Sequence, residues 1–185
     1  LIKLKSKASD IKLETERFKI LAIEDSDINH IYAGLSHPEV IKHYGVSFHS
    51  LEATKEQMEW YRKLKEEEKG IWWKIVRKSD GNFVGAGGYN DWDQKNQKAE
   101  IGFWLLPEYW GQGIMKEAMG VIIQYAFDTM NLNRIEGFVD SDNIKCKKAL
   151  NKVGFHLDGT MREVEKKNDK YLDIDIYSKL KRESI

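Results

Sequence analysis

The stretch that most constrains this chain is an apolar run, two closely spaced glycines and a second apolar run. Residues 99–107 read AEIGFWLLP, typical of a strand, and residues 116–130 read KEAMGVIIQYAFDTM, typical of a helix. Gly111 and Gly113 lie between them. The first N–H groups of a helix have no partner within it and lie at the positive end of the helix dipole. Because glycine lets an anion approach the backbone closely, the segment WGQGIM (110–115) is chemically suited to a pyrophosphate.

A plain turn is the alternative interpretation of the two glycines. The segment is not a Walker loop, because no Gly-Lys-Ser/Thr follows it. It also lacks the third glycine of the dinucleotide-binding fingerprint, since Lys116 stands at that position. The loop alone therefore leaves anion binding and a simple turn open.

Charge and cysteine content exclude several classes of function. The chain has 30 Lys and Arg against 30 Asp and Glu, so its net charge predicts no non-specific binding to nucleic acid or to a membrane. No apolar run approaches the ~20 residues of a membrane span, and residues 1–14 lack the apolar core of a secretion signal. The single cysteine, Cys146, excludes an internal disulfide and a Cys-based zinc cluster. We therefore expect a cytoplasmic protein without a metal.

The length fits one domain over residues 1–185, and no internal repeat or Pro/Gly/Ser-rich linker divides the sequence. Strands and helices in this order, with a β-α-β-α succession in the second half, predict an α/β (α+β) fold with a mixed sheet. The first half is predicted to contain strands within 11–23, a helix over about 24–37 that is capped by Asp25 or Ser26 and stopped by His37-Pro38, and an amphipathic helix over 51–69 with Leu51, Met58, Tyr61 and Leu64 on one face. A hairpin that turns at Asp80-Gly81 and a strand over 97–106 follow. The second half is predicted to contain a helix over 112–129, a strand over 134–140, a helix over 142–153, and strands over 156–165 and 170–179.

Three segments carry a family resemblance: AEIGFWLLPEYWGQGIMKEAM, RIEGFVDSDN and NIKCKKALNKVGF. Together they resemble the GNAT superfamily of acyl-CoA-dependent N-acetyltransferases, and within it the RimJ/RimL-type branch of ribosomal-protein alanine N-acetyltransferases. The resemblance covers a core of about residues 10–180 and implies a GNAT-type fold, with a mixed, mostly antiparallel central sheet flanked by helices. It further implies acetyl-CoA as cosubstrate and direct transfer to a primary amine without a covalent acyl-enzyme. It also implies a homodimer as one expected assembly.

The resemblance assigns residues to the cofactor. The phosphate loop of this family has the form Arg/Gln-x-x-Gly-x-Gly/Ala, from which Trp110 and Met115 depart. The family also uses a strand amide at a bulge to stabilise the developing oxyanion; Gly102 could permit such a bulge or be a plain strand glycine. The implied cofactor-binding residues are Phe103, Trp104 and Leu105 on the strand, Gly111, Gln112, Gly113, Ile114, Met115 and Lys116 in the loop, and Asn143 and Cys146 on the next helix.

Glu100 is the candidate general base. It lies in an otherwise apolar strand, and a carboxylate partly removed from water has a raised pKa that suits proton transfer near neutral pH. In the RimJ/RimL-type branch, a Glu at this position resembles the residue assigned to the base or to acceptor binding. A surface glutamate is the alternative, and Asp91 and Asp93 are competing candidates.

Cys146 is the candidate general acid. Many family members carry a Tyr acid where Leu150 stands, so that role is lost here. The branch commonly has a Ser at the position of Cys146, held to contact the CoA sulfur; the alternative for Cys146 is a small buried apolar residue. Asn143 resembles the residue that binds the pantetheine arm, and it could equally be a helix N-cap.

The acceptor is the least constrained part of the prediction. Family topology places His43, Tyr44, Trp73, Tyr89 and Trp92 around the acceptor pocket. The branch points to a protein N-terminal amine. A small-molecule amine (a polyamine, an amino acid or an antibiotic) and a non-catalytic CoA-binding sensor are the alternatives.

Overall fold

The computed structural model describes residues 13–183; the start of the first predicted strand and most of the N-terminal segment considered above lie outside these residues. The strands are β1 (Leu13–Glu14), β2 (Phe18–Ala22), β3 (Ile71–Arg77), β4 (Phe83–Asp93), β5 (Lys98–Leu105), β6 (Arg134–Asp140), β7 (His156–Lys167) and β8 (Lys170–Leu180). The helices are α1 (Ile28–Leu35), α2 (Pro38–Ile41), α3 (Leu51–Glu66), α4 (Ile114–Asp128) and α5 (Ile144–Lys152). No helix within this described range is long and apolar enough to cross a bilayer.

The strands form one eight-stranded sheet in the order β1-β2-β3-β4-β5-β6-β8-β7. Neighbouring strands are antiparallel except β5 and β6, which run parallel because α4 connects them. The mixed, mostly antiparallel sheet predicted from the sequence is therefore confirmed. The last hairpin turns back into the sheet, so that β8 lies between β6 and β7 and β7 forms one edge.

Each face of the sheet carries its own apolar core. One face packs against α4 and α5 through residues such as Trp73 and Leu105, and the other packs against α1 and α3 through residues such as Trp72 and Trp104. Since successive side chains of a strand point to opposite faces, neighbours in sequence enter different cores. The sheet therefore separates the two helical layers, and Leu106 and Trp110, just after β5, pack against both cores.

Two predicted helix boundaries need correction. Glu24 and Asp27 form the capping box before α1, rather than Asp25 or Ser26. His37 and Pro38 do more than stop α1, because the His37 side chain caps α2, which has Pro38 at its first position.

The buried face of α3 differs at one residue from the prediction. Met58, Tyr61 and Leu64 are buried as expected, whereas Leu51 is 43% exposed at the first turn. Thr54 and Gln57 complete the buried face instead.

Candidate active site

A cavity of about 800 Å³ opens where β5 and β6 separate. These strands pair only over residues 98–100 of β5 and 134–136 of β6. Beyond that point residues 101–103 and 137–140 line the cavity instead of pairing with each other. Backbone N–H and C=O groups along the two facing edges can therefore bind a ligand that enters the gap.

Both faces of the sheet contribute to the cavity wall. Met115, Met119 and Cys146 line it on the face covered by α4 and α5, which we call the α4 side. Tyr44 and Gln57 line it on the face covered by α1 and α3, which we call the α3 side. A molecule reaching from one side to the other passes through the gap between β5 and β6.

Glu100 lies in the cavity wall at the last paired position of β5. Burial, followed by the nearby carboxylates of Asp91 and Glu136, raises the pKa of its carboxyl to about 7 against the opposing effect of a hydrogen bond from Asn90. Alternate residues of a strand point to the same face of the sheet. Glu100 therefore points to the same side as Trp104, which is buried in the core of the α3 side. A group with a pKa near 7 at this place can exchange a proton with a bound molecule at physiological pH.

The two competing aspartates lie in different surroundings. Asp91 is an exposed residue with φ of 50°, at a point where the β4–β5 register shifts. Asp93 accepts hydrogen bonds from the backbone and side chain of Asn96, which lower its pKa. Asp93 therefore caps a turn, while Asp91 acts on Glu100 through its charge.

The segment that follows α2 is pinned over the α3 side. His43 Nδ1 lies 2.8 Å from Asp140 Oδ2 at the end of β6. Lys167 Nζ, on β7, donates to the carbonyl oxygens of residues 41, 42 and 44 at 2.9, 3.0 and 3.2 Å. Three distant parts of the chain thus converge on one wall, and neither Asp140 nor Lys167 gave a local sequence signal.

Tyr44 lies in this wall near Glu100. Burial, followed by the effects of Tyr61 and Glu100, raises the pKa of Tyr44 well above its usual range. Its phenol therefore keeps its proton at neutral pH and can donate a hydrogen bond toward the cavity. His43, Tyr44 and Glu100 all line the same cavity.

The glycine loop precedes α4 with two left-handed residues. Gly111 has φ of +77° and Gly113, the N-cap of α4, has φ of +75°. A side chain rarely adopts such angles, so both positions require glycine for the backbone itself. Ile114 is buried, Lys116 is exposed, and Met115 lines the α4 side of the cavity.

Trp110 supports the loop from behind. Its indole N–H donates to the carbonyl oxygen of Leu105 at 2.9 Å, and the Lys145 ammonium lies 4.8 Å from the ring centroid. The Gln112 side chain donates to the Glu108 carbonyl oxygen at 2.8 Å. These contacts make Trp110 and Gln112 structural members of the loop, with the backbone left to face a ligand.

Of the two alternatives for Gly102, the structure shows a plain strand glycine without a bulge. The β4–β5 register runs unbroken from Glu100 to Leu105. Gly102 is required for another reason, since a Cβ there would overlap the indole of Trp72. The side chains of Trp104 and Leu105 are buried in opposite cores, so only Phe103 of the three strand residues lines the cavity with its side chain.

Asn143 and Cys146 open α5 and line the α4 side. Asn143 Oδ1 accepts a hydrogen bond from the backbone N–H of Cys146 at 3.1 Å, which is the N-cap arrangement. This cap uses the side-chain oxygen of Asn143 and does not use its amide N–H groups. Burial raises the pKa of the Cys146 thiol to about 11, so it keeps its proton at neutral pH.

The structure does not place three predicted acceptor residues in the cavity wall. Trp73 and Tyr89 are buried under α4, where the Tyr89 hydroxyl donates to the Ile122 carbonyl oxygen. Trp92 packs against the same core. The correction follows from strand periodicity, because the neighbouring Trp72 points to the α3 side and Trp73 points away from it.

Ionisable groups on the α3 side are mainly acidic. Glu56 of α3 and Glu165 of β7 line the cavity together with Glu100. Trp60, one helical turn after Glu56, adds an aromatic ring that is 38% exposed. Carboxylates and an aromatic face both favour a positively charged ligand. Over residues 13–183 no cluster of His, Cys, Asp or Glu side chains suits a metal ion.

Comparison with known proteins gives a consistent result. Residues 17–156 match the model of the acetyltransferase (GNAT) domain. The chain is 32% identical over 170 residues to the uncharacterized N-acetyltransferase YoaA of Bacillus subtilis, covering 91% of this chain and 96% of that protein. It is 29% identical over 106 residues to the ribosomal-protein-serine acetyltransferase of Escherichia coli, covering 57% of this chain and 59% of that protein.

A solved structure shares the fold. The spermidine N-acetyltransferase of Vibrio cholerae, solved in complex with CoA and spermine, superposes with a TM-score of 0.82 at 19% identity. The superposition covers 92% of this chain and 99% of that one. The arrangement of eight strands and five helices is therefore an established fold.

Proposed function

The chain belongs to the GNAT acetyltransferase family, and from this premise we propose that it transfers the acetyl group of acetyl-CoA directly to a primary amine, with Glu100 as the general base. The family is one of acetyl-CoA-dependent N-acetyltransferases, and this chain is such an enzyme. The observation that carries the role of Glu100 is its place at the gap between β5 and β6, where the two sides of the cavity meet.

The residues of the α4 side fit the cosubstrate. The free N–H groups at the start of α4, preceded by two left-handed glycines, suit the pyrophosphate. Asn143 caps α5 through its oxygen and has amide N–H groups left to donate to the pantetheine arm. Met115, Met119 and Leu150 give the cavity an apolar wall against which that arm can pack. When bound, acetyl-CoA supplies the activated acetyl group.

Glu100 prepares the amine for attack. An amine with an ordinary pKa is protonated at pH 7, and only the neutral form is a nucleophile. A carboxylate whose pKa is about 7 has enough basicity to accept the proton and remains largely ionised above that pH. The phenol of Tyr44 lies nearby and can hold the amine or a bridging water in place.

Backbone groups and Cys146 serve the other end of the reaction. A strand edge without a strand partner, such as residues 101–103, offers an N–H group to the acetyl oxygen as charge develops on it, and we assign this to Phe103. Cys146 is a proton-bearing thiol in the wall of the α4 side. We propose that it donates a hydrogen bond to the leaving sulfur.

Two acceptor classes have support. A protein N-terminal amine is favoured by the similarity to the ribosomal-protein-serine acetyltransferase of E. coli. A small polyamine is favoured by Glu56 and Glu165 in the cavity wall, because their carboxylates can bind a second ammonium group. The fold is also that of a spermidine N-acetyltransferase solved with spermine. Both classes bring positive charge to the same acidic wall.

An amine panel with detection of released CoA tests the proposal. Short peptides with free N-termini, their N-acetylated counterparts, spermidine and amino acids are each incubated with acetyl-CoA and enzyme. We expect release of CoA with a primary amine, none above background with the acetylated control, and a rate lower by about 10²–10⁴-fold with Glu100→Gln. Peptides alone as substrates would assign the protein class, and spermidine alone the polyamine class. Release no faster than spontaneous hydrolysis with every amine would contradict the proposed function.

A further inference from the structure

Arg17 contacts the glycine loop although it lies 95 residues earlier in the sequence. It lies between β1 and β2, and its Nη1 and Nη2 atoms are both 3.2 Å from the carbonyl oxygen of Gln112. Its Nε atom donates to Glu117 Oε2 at 2.7 Å, and its backbone N–H donates to Glu117 Oε1 at 3.0 Å. Thr15 Oγ1 donates to the same Oε1 atom at 2.5 Å. The β1–β2 turn therefore holds both the loop and the first turn of α4.

The contact with Gln112 fixes the orientation of one peptide unit. The Gln112 carbonyl and the Gly113 N–H belong to the same planar peptide and point in opposite directions when it is trans. With the carbonyl held by Arg17, the Gly113 N–H points away from Arg17. Left-handed glycines stand on both sides of Gln112, at 111 and 113, so little in the local backbone prevents this peptide from rotating. The guanidinium supplies the missing restraint.

The contact with Glu117 removes an unfavourable charge. A carboxylate in the first turn of α4 would repel an anion bound at the same helix end. Although burial acts in the opposite direction, hydrogen bonds from Thr15 and Arg17 lower the pKa of Glu117, so the carboxylate is ionised at neutral pH. Both of its oxygens are occupied by donors from residues 15 and 17. Without Arg17, the negative charge would face the loop uncompensated.

We propose that Arg17 is a positioning residue for acetyl-CoA: it orients the 112–113 peptide and neutralises Glu117, and so makes the glycine loop competent to bind the pyrophosphate. This inference rests on the proposed function, because it takes the loop as the pyrophosphate site. It assigns no direct phosphate contact to Arg17. The guanidinium suits this role better than an ammonium, since a planar fork can contact the carbonyl and the carboxylate at once.

Binding of CoA to the full chain, measured by calorimetry, tests the inference without any acceptor. We expect Arg17→Ala to weaken CoA binding by about tenfold, the scale of one charge-assisted hydrogen bond. Adding Glu117→Gln should recover part of the loss, because the uncompensated charge is then gone. The CoA affinity of Arg17→Lys should be close to that of Arg17→Ala, because an ammonium lacks the planar fork that contacts the carbonyl and the carboxylate at once. Lys19→Ala, on the exposed side of β2, removes the same charge as a control.

Kinetics with two acetyl donors separate positioning from general stability. With acetyl-CoA, Arg17→Ala should raise KM and leave kcat at saturation nearly unchanged. With acetyl-pantetheine, which lacks the pyrophosphate, the variant and the wild type should have equal KM values. Thermal unfolding without ligand shows whether Arg17→Ala is folded, and Arg17→Gln replaces it if not.

Each outcome has one meaning. Unchanged CoA affinity in Arg17→Ala would overturn the inference and leave the proposed function intact. If Arg17→Lys binds CoA with wild-type affinity, the positioning role is contradicted and only the positive charge of residue 17 matters. Equal losses with both donors would reduce Arg17 to a structural residue. Failure of the wild type to bind CoA would overturn the proposed function itself.

Discussion

The two sides of the cavity present different chemical groups to a ligand. The α4 side consists of backbone N–H groups at a helix end and of apolar side chains such as Met115 and Met119. The α3 side consists of ionisable and aromatic side chains such as Glu56, Trp60 and Tyr44. Backbone donors bind a phosphate whatever the neighbouring side chains are, whereas side chains determine which acceptor fits. Glu100 lies where the two sides meet, with its side chain on the α3 side.

The two sides also differ in how their parts lie along the chain. Most of the α4 side comes from residues 101–150, in sequence order. The α3 side combines residues 43–60 with residues 165 and 167 of the last hairpin. A compact stretch can be recognised from its own pattern, while a wall assembled from distant segments cannot. Substitutions on the two sides should therefore have separable effects, on cosubstrate binding or on proton transfer and acceptor use.

Glu100→Gln should have the largest effect. It removes the base without changing the shape of the site, so we expect kcat to fall by about 10²–10⁴-fold, the usual contribution of general base catalysis, with CoA affinity unchanged. In the wild type the active form is the ionised carboxylate, so activity should rise with pH through about 7 and then level. The measurement is the pH profile of kcat/KM, with Asp93→Asn as a control. Persistence of this rise in Glu100→Gln would assign it to another group.

Gly113→Ala should act on the α4 side alone. Forcing a Cβ into φ of +75° costs about 1–2 kcal/mol, and we expect CoA binding to weaken by about tenfold while kcat at saturation changes little. Gly120→Ala is the matched control, because Gly120 is exposed within the same helix and has open space around its Cα. Calorimetric titration with CoA compares the two. Equal affinities would remove the loop from the binding site.

Asp91→Asn should act on the α3 side and leave CoA binding unchanged. Since the Asp91 carboxylate raises the pKa of Glu100, its removal should shift the rise of kcat/KM to a pH below the wild-type value. The variant should then be several-fold faster than wild type at pH 6 and equal to it at pH 9. Asn tolerates the left-handed backbone at this position, so folding should be retained. A rise that stays at the wild-type pH would show that Asp91 is too solvated to influence Glu100.

Cys146 variants should have the smallest effect. Proton transfer from a thiol with a pKa of about 11 to a thiolate of ordinary pKa is uphill, so Cys146 can contribute little more than a hydrogen bond. We expect turnover to fall about two- to fivefold in Cys146→Ala, the scale of one neutral hydrogen bond, and to be largely kept in Cys146→Ser. Steady-state kcat at saturating acetyl-CoA distinguishes them. Identical rates in all three proteins would leave Cys146 as a packing residue.

Local patterns predicted much of the fold and the α4 side. The strand over 134–140 was predicted with the observed bounds, and the helix after the glycine loop within two residues of each end. These elements have strong periodicity or clear caps, which act over a few residues. Glu100, Met115, Asn143 and Cys146 all lie in the cavity wall, since the strand and helices that carry them were correctly identified.

The missed features depend on contacts between distant segments. Arg17 is 95 residues from Gln112, and His43 is 97 residues from Asp140, so no window of sequence contains either pair. Trp73 was assigned to the acceptor side in place of Trp72 because two adjacent tryptophans do not show which of them points to which face of the sheet. The role of Gly102 stayed open between a bulge and a plain strand glycine because the indole that needs its space lies on another strand.

The ammonium of Lys167 has a consequence for how this protein could acquire a new acceptor. Because it holds three backbone carbonyl oxygens at the end of α2 and just after it, that segment and the β7–β8 hairpin are tied together, although they lie 123 to 126 residues apart in sequence. The acceptors are backbone oxygens, so residues 41–48 of a relative keep this contact only where their backbone follows the same path. A graft designed to change the acceptor must therefore preserve Lys167 and the backbone conformation that it binds.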